Sequence, residues 1–167
     1  VVVGSFLTQF IIVGMLFTYG VLMTELEKEF GWSRTILSSI GAAGWLAWGI
    51  FAIPGGYLND RLGPKIVLGV NGFIFGIGFI LFSKSSEVWH LFLIFIFFIG
   101  IGLSTHDIST LSTIAKWFES KRGLMTSLAK IGTAMGQMVM PPLMAFLIIS
   151  FGWRTATFYL GIVASIA

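Results

Sequence analysis

Residues 35–59 carry no Asp, Glu, Lys or Arg, and neither do residues 1–24 or 66–83. About 20 predominantly apolar residues are what a helix needs to cross the hydrocarbon core of a bilayer. Inside that core no water satisfies backbone N–H and C=O groups, so uncharged runs of this length are restricted to helices. Composition points the same way: with 56% hydrophobic, 16% aromatic and 10% charged residues, a chain of 167 has too little polar surface for a soluble globule. Its 21 glycines suit close packing between helices that have no hydrophobic driving force in lipid. Cysteine is absent, which excludes disulfides and thiolate metal sites. The ten Lys and Arg are scattered and form no basic run or aromatic-interleaved platform, so no nucleic-acid partner is expected.

Six spans are expected, at roughly 1–24, 35–58, 66–83, 89–115, 123–149 and 155–167. The first lacks the basic leader of a signal peptide, and the last is shorter than a full span, so the chain reads as a piece cut at both ends. Residues 25–34 read as a polar loop in which Ser33 caps the second helix while Phe30 and Trp32 anchor at the membrane interface. The stretch 104–113 makes the second half of the fourth span unusually polar, so that half faces water or protein. Pro141-Pro142 is expected to bend the fifth. Arg61, Lys65, Lys116, Lys121 and Arg122 fall on one side of the bilayer, and Lys28, Arg34, Lys84 and Arg154 on the other, where Glu25, Glu27, Glu29 and Glu87 offset them. The first side is therefore placed in the cytoplasm, together with the amino terminus, in an inner or plasma membrane.

The turn between the second and third spans, Gly56-Tyr57-Leu58-Asn59-Asp60-Arg61-Leu62-Gly63-Pro64-Lys65, concentrates the charge that its flanks lack. Asp60 stands just past the carbonyl end of a helix, where the macrodipole disfavours an anion, so it requires a cation or another helix's amino end. Arg61 and Lys65 are the local candidates. Gly63 permits a positive φ, and Pro64 has the fixed φ suited to the first position of the next helix. On these grounds alone the turn could be a tight loop obeying the positive-inside rule.

Its pattern, Gly followed by Asp-Arg-x-Gly-x-Lys, resembles the helix 2 to helix 3 loop of the major facilitator superfamily of secondary transporters. Trp117-Phe118-x-x-Lys121-Arg122-Gly123, continuing as Ala129-x-x-Gly132, resembles the helix 5 signature of the monocarboxylate-transporter-like branch. Tyr19-Gly20-Val21 with Phe30-Gly31-Trp32-Ser33-Arg34 resembles its microbial members, which include oxalate/formate exchangers. The resemblance implies an all-α integral membrane fold in which six helices, as two inverted three-helix repeats, form the amino-terminal half of a twelve-helix transporter whose carboxyl half is missing. It implies a secondary active transporter that moves a small organic anion, a monocarboxylate or similar carboxylate, by alternating access, with proton symport or anion exchange. Gly56, Asp60, Arg61, Gly63 and Lys65 would then gate transport. Three positions depart from the family pattern: Phe17 replaces a helix 1 Lys of animal members, Phe97 an Arg of many proton-coupled facilitators, and Gln137 the Gly-Pro of drug antiporters. The first leaves the substrate open, and the last disfavours drug-proton antiport. The other reading is a transporter-like membrane receptor or scaffold, which would need no ionisable group at membrane depth.

Asp107 and Lys130 are such groups. Asp107 lies nine residues before Lys116, and Lys130 eight residues after Arg122. At ~1.5 Å per residue these are depths of roughly 13 and 12 Å from a shared loop, so antiparallel helices place both charges at one level. Each belongs to a polar stripe, Gly100, Ser104, Asp107 and Thr110 on one helix and Thr126, Lys130, Thr133 and Gln137 on the other. The expected substrate or proton pathway comprises Asp107, Lys130, His106 as a proton acceptor, and the polar groups Gln9, Tyr19 and Gln137. Helix–helix hydrogen bonding is the alternative for Gln9 and Tyr19, and interfacial placement with Lys130 snorkelling is the alternative for the charges. Ser104, His106 and Asp107 have the composition of a catalytic triad, but neighbours on a helix point ~100° apart, so the carboxylate would not orient the imidazole and no enzyme is expected. His90 and His106 have no second ligand at i+3 or i+4, so neither metal nor cofactor is expected.

Overall fold

The structure, a computed structural model, describes residues 1–118 and 120–166; Glu119, in the expected loop after the fourth span, and Ala167, at the end of the sixth, lie outside the described residues. The chain is all-helical: α1 (Val2–Phe17), α2 (Tyr19–Phe30), α3 (Arg34–Leu62), α4 (Pro64–Phe82), α5 (Val88–Leu93), a π-helical stretch (Ile94–Ile99), α6 (Gly100–Leu103), α7 (His106–Trp117), α8 (Arg122–Phe151) and α9 (Trp153–Ile166). Among the described residues, five rods are long and apolar enough to cross a membrane, namely Val2–Phe30, Arg34–Leu62, Pro64–Phe82, Val88–Trp117 and Arg122–Phe151. With 14 residues, α9 is shorter. Successive rods reverse direction, so Gly63 and Trp117 lie on one face of the bundle, while Gly31, Ser83 and Gly152 lie on the other.

The stretch expected as a polar loop at 25–34 is helical as far as Phe30. Leu22 and Leu26, four residues apart, are buried on one stripe of α2, and the Lys28 ammonium donates to Glu25 Oε1 at 2.7 Å. Glu, Lys and Leu are strong helix formers, so charge here continues the first rod beyond the membrane instead of ending it. The stop is Gly31, at φ +67, followed by Ser33, whose Oγ accepts from the Ile36 amide at 3.4 Å. On the same face Arg154 ties three elements together, donating to Ser83 O and Ser85 O at 3.1 Å and to Glu29 Oε1 at 2.9 Å.

Small residues set the packing. α1 runs along α8, α4 along α9, and α3 against the π-helical stretch and α6. A Cβ at Gly136 would lie 2.3 Å from Phe10 O, and one at Gly76 2.7 Å from Gly161 O, so backbones meet where only glycine fits. Gly132 is likewise pressed onto Phe6 O, which makes this face of α8 a packing surface. α8 runs through Pro141 and Pro142 without interruption, although neither can donate to the carbonyls of Gln137 and Met138.

The fourth rod is not a single α-helix over 89–115. It passes through the π-helical stretch and then breaks at Ser104 and Thr105, where Thr105 has φ −119 and ψ −3. Ser104 Oγ donates to Ile101 O at 2.6 Å, and Asn71 Nδ2 on α4 donates to Thr105 Oγ1 at 2.6 Å. Such side-chain bonds offer the backbone an alternative to the helical ladder, and α7 restarts at the next residue, His106.

Candidate functional site

α1, α7 and α8 converge on one polar cluster. Lys130 Nζ donates to Asp107 Oδ1 in a short contact, with the two side chains 39% and 34% exposed. Gln9, fully buried on α1, adjoins Asp107: its Nε2 donates to Asp107 Oδ1 at 2.7 Å and to Thr110 Oγ1 at 3.1 Å, while its Oε1 accepts from Thr133 Oγ1 at 2.9 Å. Both ends of one amide on α1 are thereby satisfied by two other helices, α7 and α8, and the carboxylate holds a cation and a neutral donor on one oxygen. The α1–α8 glycine contacts bring Gln9 close enough to reach across.

His106 adjoins this cluster and is buried. Its Nδ1 lies 2.7 Å from Leu103 O, which can only accept, so Nδ1 carries a proton in this arrangement and Nε2 is left facing Asp107 Oδ2 at 3.7 Å. The ring packs against Trp48 at a tilt of 42°, with centroids 5.6 Å apart. His106 and Asp107 both stand at the amino end of α7, just after the break. At 3.7 Å the pair is beyond hydrogen-bonding distance, so it is Leu103 that orients the imidazole.

Tyr19 is not part of the cluster. Its hydroxyl donates to Leu37 O at 2.7 Å, and its ring packs on Phe95 and lines a separate cavity of about 220 Å³ with Phe17, Gly41 and Trp45. Gln137 is half-buried seven residues beyond Lys130 on α8, about 10 Å along the axis, and among the described residues it has no hydrogen bond to the cluster.

At the turn, Gly63 adopts φ +85 and Pro64 opens α4. Asp60, Arg61 and Lys65 are exposed. Arg61 does not pair with Asp60 but lies over the Tyr57 ring, 4.6 Å from its centroid, and Asp60 forms no ion pair among the described residues. Gly56 sits beside Ile108 of α7. Several contributors escaped the sequence reading. Trp48 gave no signal, whereas Asn59 and Asn71 could have been found as carboxamides in uncharged runs, where a polar group in lipid demands a partner.

Long apolar rods around an internally satisfied charged cluster define an integral membrane protein. The chain belongs to the Major Facilitator Superfamily, matching it over residues 5–167. It is 30% identical to the Agnestins efflux protein AgnL12 of Paecilomyces divaricatus over 95% of this chain and 38% of that protein. It is 27% identical to monocarboxylate transporter 14 of Mus musculus, over 96% of this chain and 31% of the relative. With a probable L-galactonate transporter of Escherichia coli strain K12 it shares 30% identity over 82% of this chain and 30% of the relative. The chain thus spans about a third of the length of these relatives.

Proposed function

We propose that this chain is the amino-terminal six-helix part of a secondary transporter that moves a small organic anion by alternating access, and that Asp107 and Lys130 form the charged centre of its pathway in this part. The observation that carries the reading is the Lys130–Asp107–Gln9 contact, built from three helices and still about one third exposed. A lone charge at membrane depth costs ~2.5 to 3.5 kcal/mol on insertion scales, and a protein that serves only as a scaffold has no use for two. A carboxylate ligand could compete with Asp107 for Lys130, and a proton on Asp107 or His106 could release the lysine to it, which is the chemistry of proton symport or anion exchange. Two relatives are named for carboxylates, monocarboxylates and L-galactonate.

The packing supports two inverted three-helix repeats. Exchanging spans one and four, two and five, three and six maps the α1–α8 contact onto that of α3 with the fourth rod, and the α4–α9 contact onto itself. The face bearing Gly63 is cytoplasmic in this reading, and Gly56, Asp60, Arg61, Gly63 and Lys65 gate movement there without binding substrate. Uptake of labelled lactate, pyruvate, oxalate and formate into proteoliposomes containing the full-length protein tests the assignment. Transport of a carboxylate is expected; movement of neutral sugars or hydrophobic cations alone would overturn it.

A further inference from the structure

Two asparagines stand on the helices that meet at the charged turn, Asn59 within it and Asn71 just beyond it. Asn59, at the end of α3 and 2% exposed, accepts from Ser109 Oγ at 2.6 Å through its Oδ1. Asn71, half-buried on α4, donates through Nδ2 to Thr105 Oγ1 at 2.6 Å and to Ser104 Oγ at 3.4 Å. Their partners lie in the interruption of the fourth rod and one turn beyond it, since Ser104 and Thr105 form the break and the Ser109 amide donates to Thr105 O at 2.8 Å in the first turn of α7. His106 and Asp107 lie between these anchor points. α3 presses on the same place, because a Cβ at Gly55 would lie 2.5 Å from Thr105 Cγ2.

We propose that Asn59 and Asn71 are positioning residues that grip the interrupted segment of the fourth rod from both sides and thereby couple the charged turn at 56–65 to the Asp107–Lys130 pair. This rests on the reading that the turn gates and the pair lies on the pathway. The element with two arrangements is the segment 103–106. Broken, as observed, it lets Thr105 and Ser104 bond to Asn71 and sets the Asp107 carboxylate against Lys130 and Gln9. Closed into a continuous helix, it would rotate Asp107 relative to Lys130 and withdraw Thr105 from α4. Because α3 and α4 meet at the turn, movement at Thr105 and Ser109 reaches Asp60 and Lys65 through one rigid helix each, with no intervening loop. Any helix pair could be held by apolar contacts. An amide on each helix, one aimed at hydroxyls in the break and the other at a hydroxyl in the turn after it, fixes its register instead.

A reporter cysteine at the exposed Leu62 reads the coupling, since these 167 residues contain no cysteine. In the full-length protein, with cysteines elsewhere replaced, the rate at which a maleimide labels Leu62→Cys is measured with and without Asp107→Asn. Asp107→Asn is expected to change that rate about fivefold, the lower end of typical coupling between sites. Adding Asn59→Ala or Asn71→Ala should remove most of the change. Ser109→Ala deletes the Asn59 bond from its other end, so a folding failure of the asparagine variants does not stop the test. If Asp107→Asn leaves labelling unaltered, or if its effect persists undiminished in all three backgrounds, the coupling is overturned. A purely structural role would lower thermal stability while leaving the Asp107→Asn effect intact, and so also overturns it. Labelling needs no substrate, so absent carboxylate uptake with intact coupling would sink the transport reading alone.

Discussion

Removing either member of the Lys130–Asp107 pair gives the most direct measure of what the cluster contributes. Exposed ion pairs contribute ~0–1 kcal/mol, whereas breaking a buried one costs ~3–5 kcal/mol. With side chains 39% and 34% exposed, this pair stands between those limits, and solvent screening brings the expected loss to about 1–2 kcal/mol. The two deletions are not equivalent. Lys130→Met leaves Asp107 accepting from Gln9 Nε2 at 2.7 Å, so its cost falls near the lower figure. Asp107→Asn leaves Lys130 without a carboxylate and falls near the higher one. A double-mutant cycle should show the combined cost falling short of the sum by about 1 kcal/mol. In thermal unfolding of the detergent-purified protein, 1 kcal/mol corresponds to about 2–4 °C for a chain of this size. Charge reversal sharpens the result: Asp107→Lys and Lys130→Asp should each abolish uptake, and the double reversal should restore part of it. Single variants that transport normally at the native melting temperature, or costs that simply add, would refute the pair's role.

Three further outcomes are expected. Asp60→Asn should lower turnover while substrate affinity stays within a few fold, because Asp60 is exposed at the turn and away from the cluster; a large affinity loss at normal turnover would contradict this. Gly136→Val should destabilise by about 1–3 kcal/mol or more, since its Cβ would stand 2.3 Å from Phe10 O and a backbone atom cannot be moved aside cheaply; an unchanged melting temperature would show that α1 and α8 do not meet this closely. Arg154→Met, at a network about 40% exposed, should cost no more than about 1 kcal/mol and lose its effect in high salt, as followed by melting curves at two ionic strengths.

How much was legible in the sequence follows from what each feature depends on. The membrane rods were legible because the bilayer imposes one length and one backbone solution on any uncharged run. The common depth of Asp107 and Lys130 was legible because both are counted from one turn along helices of constant rise. The continuation of the first rod to Phe30 was hidden, because Glu25, Glu27, Lys28 and Glu29 look equally polar in a loop and on a helix that has left the membrane. The break at Ser104 and Thr105 was hidden too, since it depends on Asn71 and Gly55 arriving from other helices.

The chain's one-dimensional pattern of charge and hydropathy determined that it is helical, which of its runs are apolar enough to cross a membrane, and that Asp107 and Lys130 lie at similar distances from one connection. Only the tertiary structure decided which faces meet: that Gln9 bridges Asp107, Thr110 and Thr133, that Tyr19 turns away to Leu37 O, that Trp48 covers His106, and that Arg61 prefers Tyr57 to Asp60. The physical reason is rotational. Axial position along a helix is fixed by counting residues, whereas the angle each rod presents is set by backbone contacts at Gly14, Gly76, Gly132, Gly136 and Gly161, and by side chains that reach one another only once those contacts have formed.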